Sequence, residues 1–299
     1  MKIKTSKSRK VFVVCNYVFL VLVGLICLLP FVNIIAVSLS GSTPVSMGSV
    51  TLWPKEFTLK SYKFIMENAN FISSFVVSVL RVLVGVTVNL ILIILTAYPL
   101  SYEKNQFHAR NIYAWFFVVT ILFNAGIIPT FLTVRYTGLM NSFWSLILPT
   151  ALPVSSMLVV MNFIRGLPKE LEEAAFLDGA GHGQTLFRII LPLLKPSLAT
   201  VALFSIVSHW NTWLDGMLYI SRSENQPLQT YLRTIIVNPA LFLSNSTSVS
   251  SGLVDIMNYI NTRTIKAAQL VIAAIPMLVI YPFIQKYFTS GLVMGSVKG

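Results

Sequence analysis

The chain is poor in charge. Only 11% of its 299 residues are Asp, Glu, Lys or Arg, where a soluble globular domain carries about 25%. Acids number 10 against 22 bases, and there are 3 histidines and 2 cysteines. Each shortage excludes something. Low charge with 55% apolar residues excludes an ordinary soluble fold of this length. His108, His182 and His209 stand in no HExxH spacing, so no metal site is expected. Cys15 and Cys27 lie twelve positions apart in one apolar run, about 18 Å along a helix, too far for a disulfide. No G-x-x-x-x-G-K-[ST] run occurs, so the chain has no P-loop for ATP. The run from Gly179 to Gly183 imitates a dinucleotide turn, but residue 184 is Gln and the stretch before it reads as helix. The net charge of +12 does not indicate nucleic acid, because the bases are spread over polar connections rather than gathered in one stripe.

What is present is long apolar runs. Each transmembrane helix needs about 20 apolar residues to cross a core of about 30 Å. Six runs qualify, at about 11–35, 71–98, 112–132, 143–164, 198–220 and 267–288, so an all-α integral membrane fold of six spans is expected. The first follows a basic start, MKIKTSKSRK, and is too long for a signal peptide. Asn124, Gly126 and Pro129 predict a kink or break near the end of the third span. Pro149 and Pro153 lie in the fourth, and Pro276 and Pro282 in the sixth. Between the first two spans, Thr58 is placed to cap a short helix through Tyr62, Phe64 and Ile65. Residues 221–266 read as a long polar connection with a serine cluster.

Six spans put both termini on one side. With the amino terminus inside, the polar segments divide 13 bases inside against 8 outside, and the dense start decides the orientation. Residues 1–10 and the tail, 289–299, are then cytoplasmic, as is the loop at 165–196.

That loop is charged and punctuated by glycine. Pro168 suits the first turn of a helix, with Glu170, Glu172 and Glu173 at the positive end of its dipole. Leu167, Leu171, Ala174 and Ala175 share one face, and Lys169, Glu173, Phe176 and Ala180 roughly the opposite one. Gly179, Gly181 and Gly183 end the helix, and a second helical stretch runs from Gln184 to Leu191. A helix lying on the membrane surface carries a basic polar face, whereas this one is acid-rich. Ala174 and Ala175 permit close backbone approach. The loop therefore reads as a docking platform for a cytosolic partner.

Glu173-Ala174-Ala175, Gly179 and Ile189-Ile190-Leu191-Pro192 match the pattern E-A-A-x3-G-x9-I-x-L-P. This resembles the EAA motif of ATP-binding-cassette (ABC) importer permeases. Along almost its whole length the chain is similar to the smaller permease of maltose-type carbohydrate importers, within the branch for polysaccharide or complex-oligosaccharide uptake in Gram-positive bacteria. The stretches PFVNIIAVSLS, SHWNTWLDGMLYI and YPFIQKYFTSGLVMGSVKG support it. The resemblance implies a type I (MetI-like) permease fold in the bacterial cell membrane. It implies a heterodimer with a second permease, two cytosolic ATPases that bind ATP and Mg, and an extracytoplasmic solute-binding protein. The chain itself then needs no cofactor and catalyses no reaction. Glu173, Ala174, Ala175, Phe176, Asp178 and Gly179 would form the coupling helix seated on the ATPase, with Glu173 near a basic group there.

For a substrate path, His209, Trp210, Asn211, Trp213 and Asp215 offer the aromatic and polar mixture that sugars need, as interfacial tryptophans also do. Asn124 is a further candidate, although a hydrogen bond between helices explains such an Asn equally well. Arg81 lies inside the second span, where a charge demands a partner or a function, and Asp215 is one candidate partner. An importer of another solute class stays open. A secondary transporter would need inverted repeats and ionisable relays, which are scarce here.

Overall fold

The first apolar run is one long helix, α1 (Lys7–Ser38), in the computed structural model, which describes residues 7–123, 125–237 and 262–296. Two units divide the chain, residues 1–68 with 234–275 and residues 69–233 with 276–299.

In the first unit, α1 is exposed along most of its length, as an apolar helix facing lipid must be. Its last turns pack Ala36 and Val37 against Val45 of α2 (Ser42–Ser46) and against Val50. The Asn33 amide donates to the Thr51 carbonyl at 2.6 Å. Ser38 meets the Tyr62 hydroxyl of α3 (Lys60–Met66) at 2.8 Å. Thr58 accepts the Lys60 N–H at 3.3 Å, one residue ahead of the N-cap position, Leu59.

The second unit is built on α4 (Ala69–Ser101). Its buried positions, Phe71, Ser74, Ser78, Arg81, Gly85, Asn89, Ile93 and Ala97, form one helical stripe. Ile72, Val76, Leu80, Leu83, Ile91 and Leu95 lie exposed on the other face. The polar and small residues therefore point into the protein and the branched apolar ones point out, the arrangement lipid imposes. Ile93, Ala97 and Tyr98 pack on Met157, Val160 and Ile164 of the helix at Val154–Arg165 and on Val201 of the helix at Lys195–Asn211.

The third apolar run is broken as expected, into α5 (Arg110–Leu122) and α6 (Ile127–Tyr136). Gly126 at the joint has φ +82°, a conformation only glycine adopts freely. The fourth begins as two 3-10 turns, Phe143–Leu146 and Leu148–Thr150, and bends by 50° into α7 (Val154–Arg165). Pro149 and Pro153 remove the N–H groups a continuous helix would need there. The charged loop gives α8 (Glu170–Leu177), α9 (His182–Thr185), a π turn at Leu186–Ile190 and α10 (Leu191–Leu193). The stretch 182–193 meets α11 (Lys195–Asn211) at 79°. The fifth span then breaks at Thr212 and resumes as α12 (Leu214–Tyr219).

Two expectations need revision. Within the connection read as polar lies α13 (Leu228–Val237), whose Leu228, Tyr231 and Leu232 are buried at helical spacing. The last helix, α14 (Thr262–Ser296), starts before Ala267 and runs on into the stretch read as tail, as far as Ser296. Its Pro276 and Pro282 do not end it. The serine cluster at 244–252 lies outside the described residues. Among the described residues, α1, α4 and α14 are long and apolar enough to cross a membrane, and two bent pairs raise that to five.

Candidate coupling site and buried polar seam

The loop helix owes its limits to chemistry at both ends. At its start, Glu170, Glu172 and Glu173 occupy the first turn, where carboxylates offset the unpaired N–H groups. At its end, Ala180 N–H donates to the Ala175 carbonyl at 2.9 Å and Gly179 N–H to the Phe176 carbonyl at 3.0 Å. Gly179 sits at φ +81°. These two bonds and the left-handed glycine make a Schellman cap. The cap explains the spacing of the motif: the second alanine is the third residue from the helix end, and the glycine must stand four positions on. Ala175 is buried, whereas Glu173, Ala174 and Asp178 are exposed. Phe176 is 37% exposed and Leu177 is 90% exposed. The expected division of faces shifts accordingly: Ala175 and half-buried Glu172 face the protein, and Ala174 faces out with Glu173.

The inner face of α8 meets the end of α4. The Tyr102 hydroxyl donates to the Tyr98 hydroxyl at 2.5 Å and lies 3.4 Å from His182 Nδ1. Glu172 stands with Tyr102 in the wall of one cavity and acts on its phenol electrostatically. Four rings continue this contact edge to face: Tyr98 to Tyr102 at 5.2 Å, Tyr102 to His182 at 5.6 Å, and His182 to Phe176 at 5.0 Å between centroids. Burial pushes the Glu172 carboxyl above the usual carboxylate range, against the opposing pull of His182 and Tyr102. Burial also raises the Tyr102 phenol.

Two arginines close the end of α4. Arg165 donates to the Leu100 carbonyl at 2.9 Å and the Ser101 carbonyl at 3.4 Å, and Arg110 donates to Leu100 at 3.3 Å. Such cations satisfy the last carbonyls of a helix and its negative dipole end. Lys169 pairs with Glu103 at 2.5 Å on the surface. This pair lowers the Glu103 carboxyl and raises the Lys169 amine through their hydrogen bond. A cavity of about 530 Å³ lies between α8 and these residues, with Tyr102, Arg110, Arg165, Glu172 and Phe176 in its wall.

The other polar concentration runs along α4. Arg81 pairs with the Asp215 carboxylate through both terminal nitrogens and donates to the Thr212 carbonyl at 3.2 Å. Asp215 also accepts the Gly216 N–H at 2.8 Å. One turn along, Gly85 makes room for His209: a Cβ there would sit 2.6 Å from the imidazole Nε2. One turn further, one end of the Asn89 amide faces the Gly85 and Ala151 carbonyls at 3.0 and 3.1 Å. Two carbonyl acceptors require the amide nitrogen there, which turns its oxygen to Ser205 and His209.

The candidate path residues do not converge on one surface. His209 and Trp210 are buried, and Trp210 packs edge to face on Phe75 at 6.0 Å. Asp215 faces Arg81. Arg233 covers the Trp213 ring, 3.9 Å from its centroid. Asn211 is exposed, and Asn124 lies outside the described residues. Gly85, Tyr98, Tyr102 and the capping role of Arg110 and Arg165 were not anticipated. The recurrence of Ser78, Arg81, Gly85 and Asn89 at three and four positions was the available signal.

No protein-family profile matches the chain. It is similar to the protein LplC of Bacillus subtilis (strain 168), with 39% identity over 294 residues, 98% of this chain and 97% of that one. It is 38% identical over 298 residues to YtcP of the same organism, a permease protein of a polygalacturonan/rhamnogalacturonan transport system, covering 98% of this chain and all of the other. Among solved structures it resembles a chain of a bacterial ABC transporter involved in import of the acidic polysaccharide alginate. The TM-score is 0.86 at 30% identity, over 96% of this chain and 100% of that chain.

Proposed function

This chain belongs to the permease subunits of ABC sugar transport systems, and from that premise we propose that it carries oligosaccharides or polysaccharide fragments into a bacterial cell by alternating access. It is a multi-pass membrane protein. It acts with a second permease, two cytosolic ATPases that bind ATP and Mg, and an extracytoplasmic solute-binding protein. The permease domain spans residues 11–288 in six passes, the third and fifth of them broken, with both termini cytoplasmic.

The observation that carries the reading is α8. Its Schellman cap at Gly179 holds a short acid-rich helix whose outer face presents Glu173, Ala174 and Leu177. An apolar tip at Leu177 with the exposed acid Glu173 on the same helix suits a cleft with a basic wall in a protein partner better than it suits water. Nucleotide-driven closure of the ATPases moves α8, and the spans rock between inward- and outward-open states. On the substrate path, Asn211 is better placed to meet sugar than His209, Trp210, Trp213 and Asp215, which face protein partners.

The test is ATP hydrolysis by the reconstituted complex. Glu173→Lys and Gly179→Asp are expected to insert normally and to lose most stimulation by loaded binding protein. Stimulation equal to the parent complex in both variants sinks the assignment.

A further inference from the structure

The end of α4 touches the coupling segment twice, on both sides of the Gly179 turn. Tyr102 follows α4 by one residue, shares a cavity wall with Glu172 of α8, and packs on His182 of α9. Phe176 of α8 closes on the same His182 ring. Tyr98, inside α4, holds Tyr102 from behind through the hydroxyl bond and an edge-to-face contact. Arg165 and Lys169 tie the base of the segment to Leu100, Ser101 and Glu103. These latter contacts lie before α8 begins and leave its outer end free to pivot.

We propose that Tyr102 is a positioning residue that locks α8 and α9 together onto α4, so that displacement of α8 moves α4 with it. The inference deepens the coupling-helix assignment and rests on it. The ring chain Phe176–His182–Tyr102–Tyr98 is the only series of ring contacts between α8 and α4 among the described residues. It bridges a left-handed glycine that a short helix cannot stiffen by itself. Without Tyr102, the arginine and lysine contacts still seat the segment at rest, but force applied to α8 is taken up at Gly179 and 180–182 instead of reaching α4.

The test uses the full complex of this chain with its partner permease and ATPases, in nanodiscs, with Cys15 and Cys27 replaced by serine. Spin labels at Glu170→Cys on α8 and Leu95→Cys on the exposed face of α4 report the separation of the two helices. It is read without nucleotide and after trapping with ATP, Mg and vanadate. The parent complex is expected to give one narrow distribution that is the same in both states. Tyr102→Leu is expected to match it without nucleotide and to broaden or shift after trapping, by up to about 5 Å, one helical turn. His182→Leu breaks the chain from the α9 side, gives the same result, and carries the test if Tyr102→Leu does not fold. An effect confined to the trapped state is not one that loss of fold produces. Trapped distributions identical to the parent in both variants overturn the inference, while ATPases that still copurify with the parent leave the coupling assignment standing. A parent chain that retains no ATPase overturns both.

Discussion

Arg81 and Asp215 face each other across the break in the fifth span, guanidinium to carboxylate, with 2% and 17% of their side chains exposed. The Thr212 carbonyl, freed where α11 ends, accepts a further hydrogen bond from the guanidinium, whose buried Nε has no hydrogen-bond partner among the described residues. The charge inside the second span therefore has a structural partner on the element where the helix is interrupted. Removing one member leaves the other buried and unpaired, which costs about 3–5 kcal/mol. Asp215→Leu and Arg81→Met should each lower the unfolding midpoint sharply in detergent. Arg81→Met with Asp215→Leu should cost less than the two single losses added. Additive losses in that cycle would reject the pairing.

Gly85 should tolerate no side chain. A Cβ would meet three atoms of the His209 ring between 2.6 and 2.8 Å, and His209 is buried between α4 and α11 with Asn89 at its Nε2. Overpacking of this kind costs about 1–3 kcal/mol. Gly85→Ala is expected to destabilise by that amount, and His209→Ala in the same chain to recover part of it. Thermal melting of the purified protein checks both. Gly85→Ala as stable as the parent would mean that the helices separate without cost.

Gly179 is predicted to accept Asn better than Ala. The left-handed conformation costs an alanine about 1–2 kcal/mol, while Asn is several-fold enriched there among residues other than glycine. Both changes leave open space around the new Cβ, so backbone strain is the only difference. Hydrogen exchange of the Gly179 and Ala180 amides, which close the cap, should rise more in Gly179→Ala than in Gly179→Asn.

Glu172 should make the coupling segment less stable as pH rises. Burial lifts its folded value above the unfolded one, so the folded state holds the proton more tightly. That contribution is complete below the unfolded value and is lost as pH rises through the folded one. Hydrogen exchange of residues 170–186 is expected to show weaker protection at neutral than at acid pH, once corrected for intrinsic exchange. Glu172→Gln should flatten this dependence. A pH profile unchanged by the substitution would remove Glu172 as its source.

Much of α8 was legible from residue spacing because its rules are local. Pro168 just ahead of it, the acids of its first turn and the glycine after its end each act within a few residues, and α8 forms where they point. The break at Gly126 was legible for the same reason. The α13 helix was not, since Ser, Glu, Asn, Gln and Pro just before it hide an apolar spacing that starts only at Leu228.

Composition and apolar length by themselves determined that this chain lies in a membrane, because lipid imposes a length and a polarity that no other environment demands. The motif spacing determined where a short capped helix stands, because a Schellman cap is built from a few consecutive residues. Only the tertiary structure decided which polar residues are partners. Arg81 with Asp215, Gly85 with His209, and Tyr102 with Glu172 and His182 are far apart in sequence, and packing alone selects such pairs. That packing also turned most of a candidate sugar-binding cluster inward: buried polar groups must find partners, and α4 supplied them.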